Sequence, residues 1–255
     1  MVKSAFLSAI FNVLLVECAT NWCQMEQEYC QGREHIACEP NSFPSDPNAR
    51  DIEMIPMTKE IKKLIVDTHN RYRSMVAAGK VSGIPSAAKM EKMSWNDSLA
   101  FVASKHAKHA NFEHDQCRSF AQFPFSGQNL AIIYSSVPIR DIQATLREHI
   151  ELFFNEVELI QDGKTSCIDF FTTYNPSCLE AGHFTAMVKD INNTVGCSLA
   201  RFRTYYSDRL LYTLLTTCNY GHTNLISHPI YTTGQPCSAC KSIGKSCEVT
   251  TKLCI

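Results

Sequence analysis

Three stretches of the chain alternate apolar and polar residues with the period of a helix. From Thr58 to Gly79, the positions Ile61, Leu64, Ile65, Thr68, Tyr72, Met75 and Val76 fall three and four apart and trace one face. Thr58 can cap the start of this helix and Gly79 its end. A second helix starts near Asn96 or Asp97, with Leu99, Val102, Ala103, His106, Ala107 and Ala110 as its buried stripe. A third runs from about Asp141 to Ile160 on Ile142, Leu146, Ile150, Phe153, Phe154 and Val157, with Glu156 at the edge of the stripe. The pattern then shortens to a period of two. "HFTAMVKD" alternates Phe184, Ala186 and Val188 against His183, Thr185 and Met187, which predicts a strand. "TVGCSLARFRTYY" and "RLLYTLLTTCNY" follow and meet at Ser207-Asp208. A two-residue loop there sets Cys197, ten residues before Ser207, opposite Cys218, ten after Asp208, close enough for a disulfide. Helices followed by an antiparallel sheet predict an α+β layered domain.

Cysteines and charge bound what such a domain can be. An apolar run from Ala5 to Val16 behind Lys3 is too short to span a bilayer and reads as a secretory signal over residues 1–18, cleaved after Cys18. Its removal takes thirteen cysteines to twelve, an even set that suits an oxidised, extracellular protein. Three of them crowd residues 23–38 and four crowd residues 237–254. The chain therefore divides into a cysteine-containing arm (19–57), a central domain (58–222) and a cysteine-rich extension (223–255). Residues 39–57, rich in Pro, Asn, Asp and Ser, read as an irregular connection within the arm. A formal charge of −1 leaves no electrostatic footprint for nucleic acid or an anionic membrane. Sequons stand at Asn96 and Asn192, each open to glycosylation if exposed.

The candidate chemistry gathers at "HAKHANFEHDQC", residues 106–117. His106 falls in the buried stripe and reads as a packed histidine. His109 lies off the stripe and reads as solvated. His114 lies beyond the helix, and the local pattern assigns it no role.

Several stretches together resemble one family. "HNRYR" (69–73), "MSWNDSLAFVASKHA" (93–107), "HDQCRS" (114–119), "GQNLA" (127–131), "GHFTAMV" (182–188) and "CNYG" (218–221) occur in the order found in the CAP superfamily (cysteine-rich secretory, antigen 5 and pathogenesis-related proteins). The cysteine-rich ends resemble its insect antigen 5 branch. The resemblance implies a three-layer α-β-α sandwich on a central antiparallel sheet, with a cleft formed by two histidines and two acidic residues. Those positions fall on His114, His183 and Glu156, while Gln128 stands at the second acidic one. Two imidazoles and a carboxylate can take Zn²⁺ or Cu²⁺, although no cofactor is required. An amide at Gln128 cannot act as a general acid or base. The other reading of the same residues is a polar network tying helix to sheet. The family pattern has Trp where this chain has Lys189, which implies an exposed edge or altered packing there.

The resemblance also implies the bridges Cys23–Cys38 and Cys30–Cys117. Cys167 and Cys178 then remain as neighbours and pair, and of three connectivities in the tail Cys237–Cys247 with Cys240–Cys254 is preferred. The expected function is that of a secreted, non-enzymatic binding protein of saliva, venom or another secretion, allergenic on exposure. The alternatives are a metal-dependent hydrolase or protease at the cleft and a lipid or sterol carrier. The expected partner is a host or self extracellular protein, or a small lipid. Neither nucleic-acid binding nor integral membrane association is expected, and the expected state is a monomer.

Overall fold

The computed structural model describes residues 21–161 and 167–255; the signal segment read at 1–18 lies outside them. In chain order the elements are α1 (Met25–Glu28), β1 (Arg50–Met54), α2 (Lys59–Ala77), β2 (Ser94–Trp95), α3 (Asp97–Ala107), β3 (Gly127–Ser135), α4 (Ile142–Asn155), α5 (Pro176–Glu180), α6 (Gly182–Val188), β4 (Thr194–Tyr206), β5 (Arg209–Tyr220), β6 (Cys247–Glu248) and β7 (Leu253–Cys254). The sheet order is β1-β4-β5-β3, antiparallel throughout, with β2 added parallel to β4; β6 and β7 form a separate pair.

The hairpin β4–β5 sets the register. Ser207 and Asp208 both take positive φ (47° and 63°), the backbone of a tight turn whose twist matches the flanking strands. Tyr206 then faces Arg209, and Cys197 faces Cys218. Thr216 and Thr217, successive on β5, point to opposite faces of the sheet, as strand geometry requires. Each meets a buried histidine of a different helical layer. His106 Nδ1 on α3 lies 2.8 Å from Thr217 Oγ1, and His149 Nδ1 on α4 lies 2.8 Å from Thr216 Oγ1. The two pairs define the three-layer sandwich, with α3 below the sheet and α2, α4 and α6 above it. Gly196 on β4 permits the close approach of α3. A Cβ there would lie 2.3 Å from the Ala100 amide nitrogen and 2.4 Å from the Asn96 carbonyl.

Helix α2 starts on Thr58, whose side chain accepts from the Ile61 amide, and α3 starts on Asn96, which accepts from Leu99. There are six disulfides among the described residues: Cys23–Cys38 and Cys30–Cys117 brace the N-terminal arm, Cys167–Cys178 and Cys197–Cys218 the central domain, and Cys237–Cys247 and Cys240–Cys254 the C-terminal extension. The arm packs Met25, Ile36 and Ala37 against Leu99 and Val102 of α3 and the rings of Phe120 and Phe123. Cys30–Cys117 spans 87 residues. Its removal as Cys30→Ser with Cys117→Ser is expected to cost about 2–4 kcal/mol, seen as a lower urea midpoint, with the arm becoming the first site of limited proteolysis. An unchanged midpoint would show that the apolar cluster alone holds the arm.

Several local expectations are corrected. Residues 182–188 form helix α6, not a strand; Phe184 to Val188 are all buried, so no wet face remains to reveal the helical period. The third helix stops being α-helical at Asn155, and Glu156–Ile160 is a 3-10 turn. The stretch 39–57 is not wholly irregular, because Arg50–Met54 forms edge strand β1 with every residue exposed. Its ion pairs Asp51–Arg203 and Glu53–Arg201 hold it to β4. Lys189 is buried, not at an exposed edge, with Nζ donating to the Pro229 carbonyl (3.2 Å). His109 is half-buried, its Nδ1 2.9 Å from Ser45 Oγ and its ring edge-on to Phe43. The sequon at Asn192 has no room for a glycan. That side chain is fully buried, donating to the Ala186 carbonyl and accepting from the His222 amide. Asn96 remains half-exposed at its cap.

Candidate functional site: a two-histidine cleft

His114 and His183 come from segments far apart in the chain and line one cleft of about 380 Å³. His114 sits on the loop after α3. That loop is fixed on one side by the Glu113 carbonyl accepting from buried His106 (2.7 Å), and on the other by the bridge at Cys117. Gln128, at the start of β3, meets the inner edge of the His114 ring. Its Nε2 donates to Asp115 Oδ2 (2.8 Å) and Asn219 Oδ1 (3.1 Å), which leaves Oε1 to accept from His114 Nδ1 (2.7 Å). The carboxylate thus fixes the amide orientation, and the amide fixes the tautomer. His114 carries its proton on Nδ1 and keeps a lone pair on Nε2 for the cleft. Burial of its inner side holds His114 below the usual histidine range, with a smaller push from the Arg118 charge and an opposing one from the Gln128 hydrogen bond.

His183 stands at the start of α6 and is held from behind in the same way. Its Nδ1 lies 2.5 Å from Glu156 Oε1, and its ring stacks on Phe153 at 5.2 Å. The other Glu156 oxygen accepts from the His183 and Phe184 amides (2.8 and 3.1 Å). These are two of the unpaired N–H groups that every helix start leaves, so the carboxylate caps α6 from a distant segment. Glu156 therefore does not form part of the cleft wall. It stands behind His183, as Gln128 stands behind His114, except that Gln128 also reaches the cleft surface.

Sequence reasoning missed the supports. Asn129 donates to the His183 carbonyl (2.9 Å) and to Tyr220 Oη (3.2 Å), which in turn meets His69 Nε2 (2.9 Å). Asp115, next to His114 in the chain, was the one support a local signal could have suggested. Asn224 and the exposed Glu180 complete the rim. Among the described residues no three His, Cys, Asp or Glu side chains gather as a metal-binding set.

The profile of the CAP family, described as "Cysteine-rich secretory protein family", matches residues 66–220. The chain belongs to the CAP family. This CAP protein is 36% identical over 234 residues to Venom allergen-1 of Aedes albopictus, covering 90% of this chain and 86% of that one. It is 33% identical over 210 residues to the antigen 5 like allergen Cul n 1 of Culicoides nubeculosus, covering 79% and 92%. Its fold matches the solved structure of NaASP2 with Zn²⁺ at a TM-score of 0.61 and 23% identity, over 84% of this chain and 100% of that one.

Zinc places a definite demand on the cleft of the present chain. Each histidine ring is held at Nδ1 by a partner, the support that metal-bound histidines use. Two ligands fall short of the three or four protein ligands of catalytic and structural zinc sites. A metal held here would complete its shell with water or with a ligand.

Proposed function

We propose that this CAP protein is a secreted binding protein of the antigen 5 type that carries out no chemical turnover. The observation that supports this is the commitment of Glu156. Both of its oxygens are taken by His183 and by the start of α6, so it cannot accept a proton from a substrate. The second acidic position of the family carries the amide of Gln128, which does not ionise. A general base must reach the proton it removes, and Glu180 on the rim is exposed with no partner to orient it among the described residues. Every described cysteine is bridged, so no thiol is left as a nucleophile among the described residues. A rigid scaffold with six disulfides suits binding instead, because little order is lost when a partner docks. The partner on this reading is an extracellular protein, of a host or of the producing organism, or a small lipid, and the protein acts as a monomer.

The free Nε2 atoms favour a second role within the same reading, capture of Zn²⁺ or Cu²⁺ from solution. Native mass spectrometry and zinc calorimetry on the secreted protein test both. The parent is expected to take one zinc ion with a dissociation constant weaker than that of a structural site, and His114→Ala with His183→Ala to take none. Neither protein should cleave peptide or ester substrates, with or without zinc. Zinc-dependent hydrolysis by the parent, abolished in the double variant, would overturn the non-enzymatic reading. Lipid found in the native spectrum would move the ligand from protein to lipid.

A further inference from the structure

Beside the histidine cleft, and sharing Thr223 with it, lies a second groove between the N-terminal arm and the loop leading into β3. We propose that this groove binds an acidic sugar, a single ring bearing a carboxylate or sulfate. Two guanidinium groups, Arg33 from the arm and Arg118 from the loop, line it, and no carboxylate does. Arg33 uses only Nε, on the Cys30 carbonyl (3.1 Å), and both its terminal nitrogens are without acceptors among the described residues. Arg118 spends Nη2 on the Asp115 carbonyl (2.8 Å) and on Asp115 Oδ1 (3.0 Å). Its Nε is buried without a partner, whereas Nη1, also unpartnered among the described residues, is not buried and opens to the groove. The nearby acids are already engaged. Asp115 lies behind Arg118 and is also held by Gln128, and Glu26 accepts from the His35 amide (3.1 Å).

Outward-facing guanidinium nitrogens on two separate segments suit an oxyanion, which accepts charge-assisted bonds from both. The hydroxyl groups of Ser119 and Thr223 add neutral donors for ring hydroxyls. Tyr29 and Phe125 supply apolar faces, and Phe125 is 56% exposed. The C–H face of a pyranose packs on such a ring while its polar edge reaches the arginines. The groove measures about 230 Å³, below the roughly 300–1,000 Å³ of pockets that take drug-sized ligands, so it accommodates one ring and not a folded chain. The bridge Cys30–Cys117 ties the two walls together, which fixes the spacing of the arginines before any ligand arrives.

Calorimetry on the mature protein with glucuronate, glucose 6-sulfate, glucose and inorganic sulfate tests this. Both acidic sugars are expected to bind, at least tenfold more tightly than glucose or sulfate alone, and to weaken as salt rises. Arg33→Gln and Phe125→Ala, both exposed and safe for folding, are each expected to weaken them at least fivefold. His114→Ala with His183→Ala should leave them unchanged, which separates this site from the histidine cleft. Equal binding of sulfate and acidic sugars would overturn the sugar assignment. No binding, or binding indifferent to Arg33→Gln, would overturn the site.

Discussion

Arg73→Met is expected to destabilise the protein by about 3–5 kcal/mol, the largest loss of any single substitution outside the disulfides. Arg73 lies on α2 with no exposed surface. Its Nε and Nη2 donate to the Glu91 carbonyl (3.1 and 2.6 Å), and Nη1 to those of Met187 (2.9 Å) and Lys189 (2.8 Å). Nη2 also reaches the Asp190 carbonyl (3.2 Å). One side chain thus joins α2, the segment before β2 and the end of α6. Burial lowers its pKa to about 10, against the pull of Asp190 and Glu91, so it stays charged at neutral pH. After substitution the Lys189 and Asp190 carbonyls keep the Asn192 and Glu91 amides as partners, and the cost falls on the carbonyls of Glu91 and Met187. Lysine cannot repair this, because an ammonium is a point donor and the site needs a flat fork. Arg73→Lys is expected to recover less than half of the loss. Urea unfolding measures both, and a parent-like midpoint for Arg73→Met would show that the carbonyls find other donors. The effect reaches the cleft too, because His183 stands in the first turn of α6 and the far end of that helix hangs on this guanidinium.

The contrast between α2 and α6 shows what the amino-acid pattern can reveal. In α2 one face is wet, so Ile61, Ile65, Tyr72 and Val76 stand out against charged neighbours, and Thr58 marks the start. In α6 five successive residues are buried, and a seven-residue segment without a polar face alternates as well as it spirals. Strand β3 is hidden for a similar reason, since its first five residues are buried whichever face they point to. Strand β1 fails in the opposite sense, with all five residues exposed. The hairpin was legible because its register needs only a turn and a count. Of the site, His114, His183, Glu156 and Gln128 came from the family resemblance and not from any local period. The geometry that decides their chemistry, Gln128 turned by Asp115 and Glu156 engaged by the start of α6, is long-range, and no window of sequence contains it.

Acidification from pH 7 to pH 5 is expected to lower the melting temperature by more than 10 °C, while carboxylates of ordinary pKa are still mostly ionised. His35, His69, His106 and His149 have no exposed surface. Burial lowers the pKa of each from 6.5 to about 4. The folded state therefore keeps them neutral while the unfolded chain protonates them below about 6.5. Between those two values the unfolded state binds more protons, so stability rises with pH. It is complete above about 6.5 and is lost progressively as pH falls toward 4. One group contributes about 1.4 kcal/mol per pH unit in that window, so about 2 kcal/mol each at pH 5, and the four together approach the whole stability of an ordinary domain, about 5–15 kcal/mol. Asp115 acts in a separate window. Burial would raise its pKa, but Arg118, His106 and Gln128 together hold it below 3.8, so its contribution persists until the pH falls through that lower range. His149 isolates one contribution, because among the described residues Thr216 is its one partner and its Nε2 is buried without any. His149→Leu is expected to flatten the dependence between pH 6.5 and 4 by about a quarter while leaving the region above pH 7 flat. Thermal unfolding followed by circular dichroism reads both slopes. A melting temperature constant from pH 7 to 4.5 would mean that the rings are hydrated or protonated in the folded protein, and that the clamps from α3 and α4 onto the sheet are not the neutral hydrogen bonds described above.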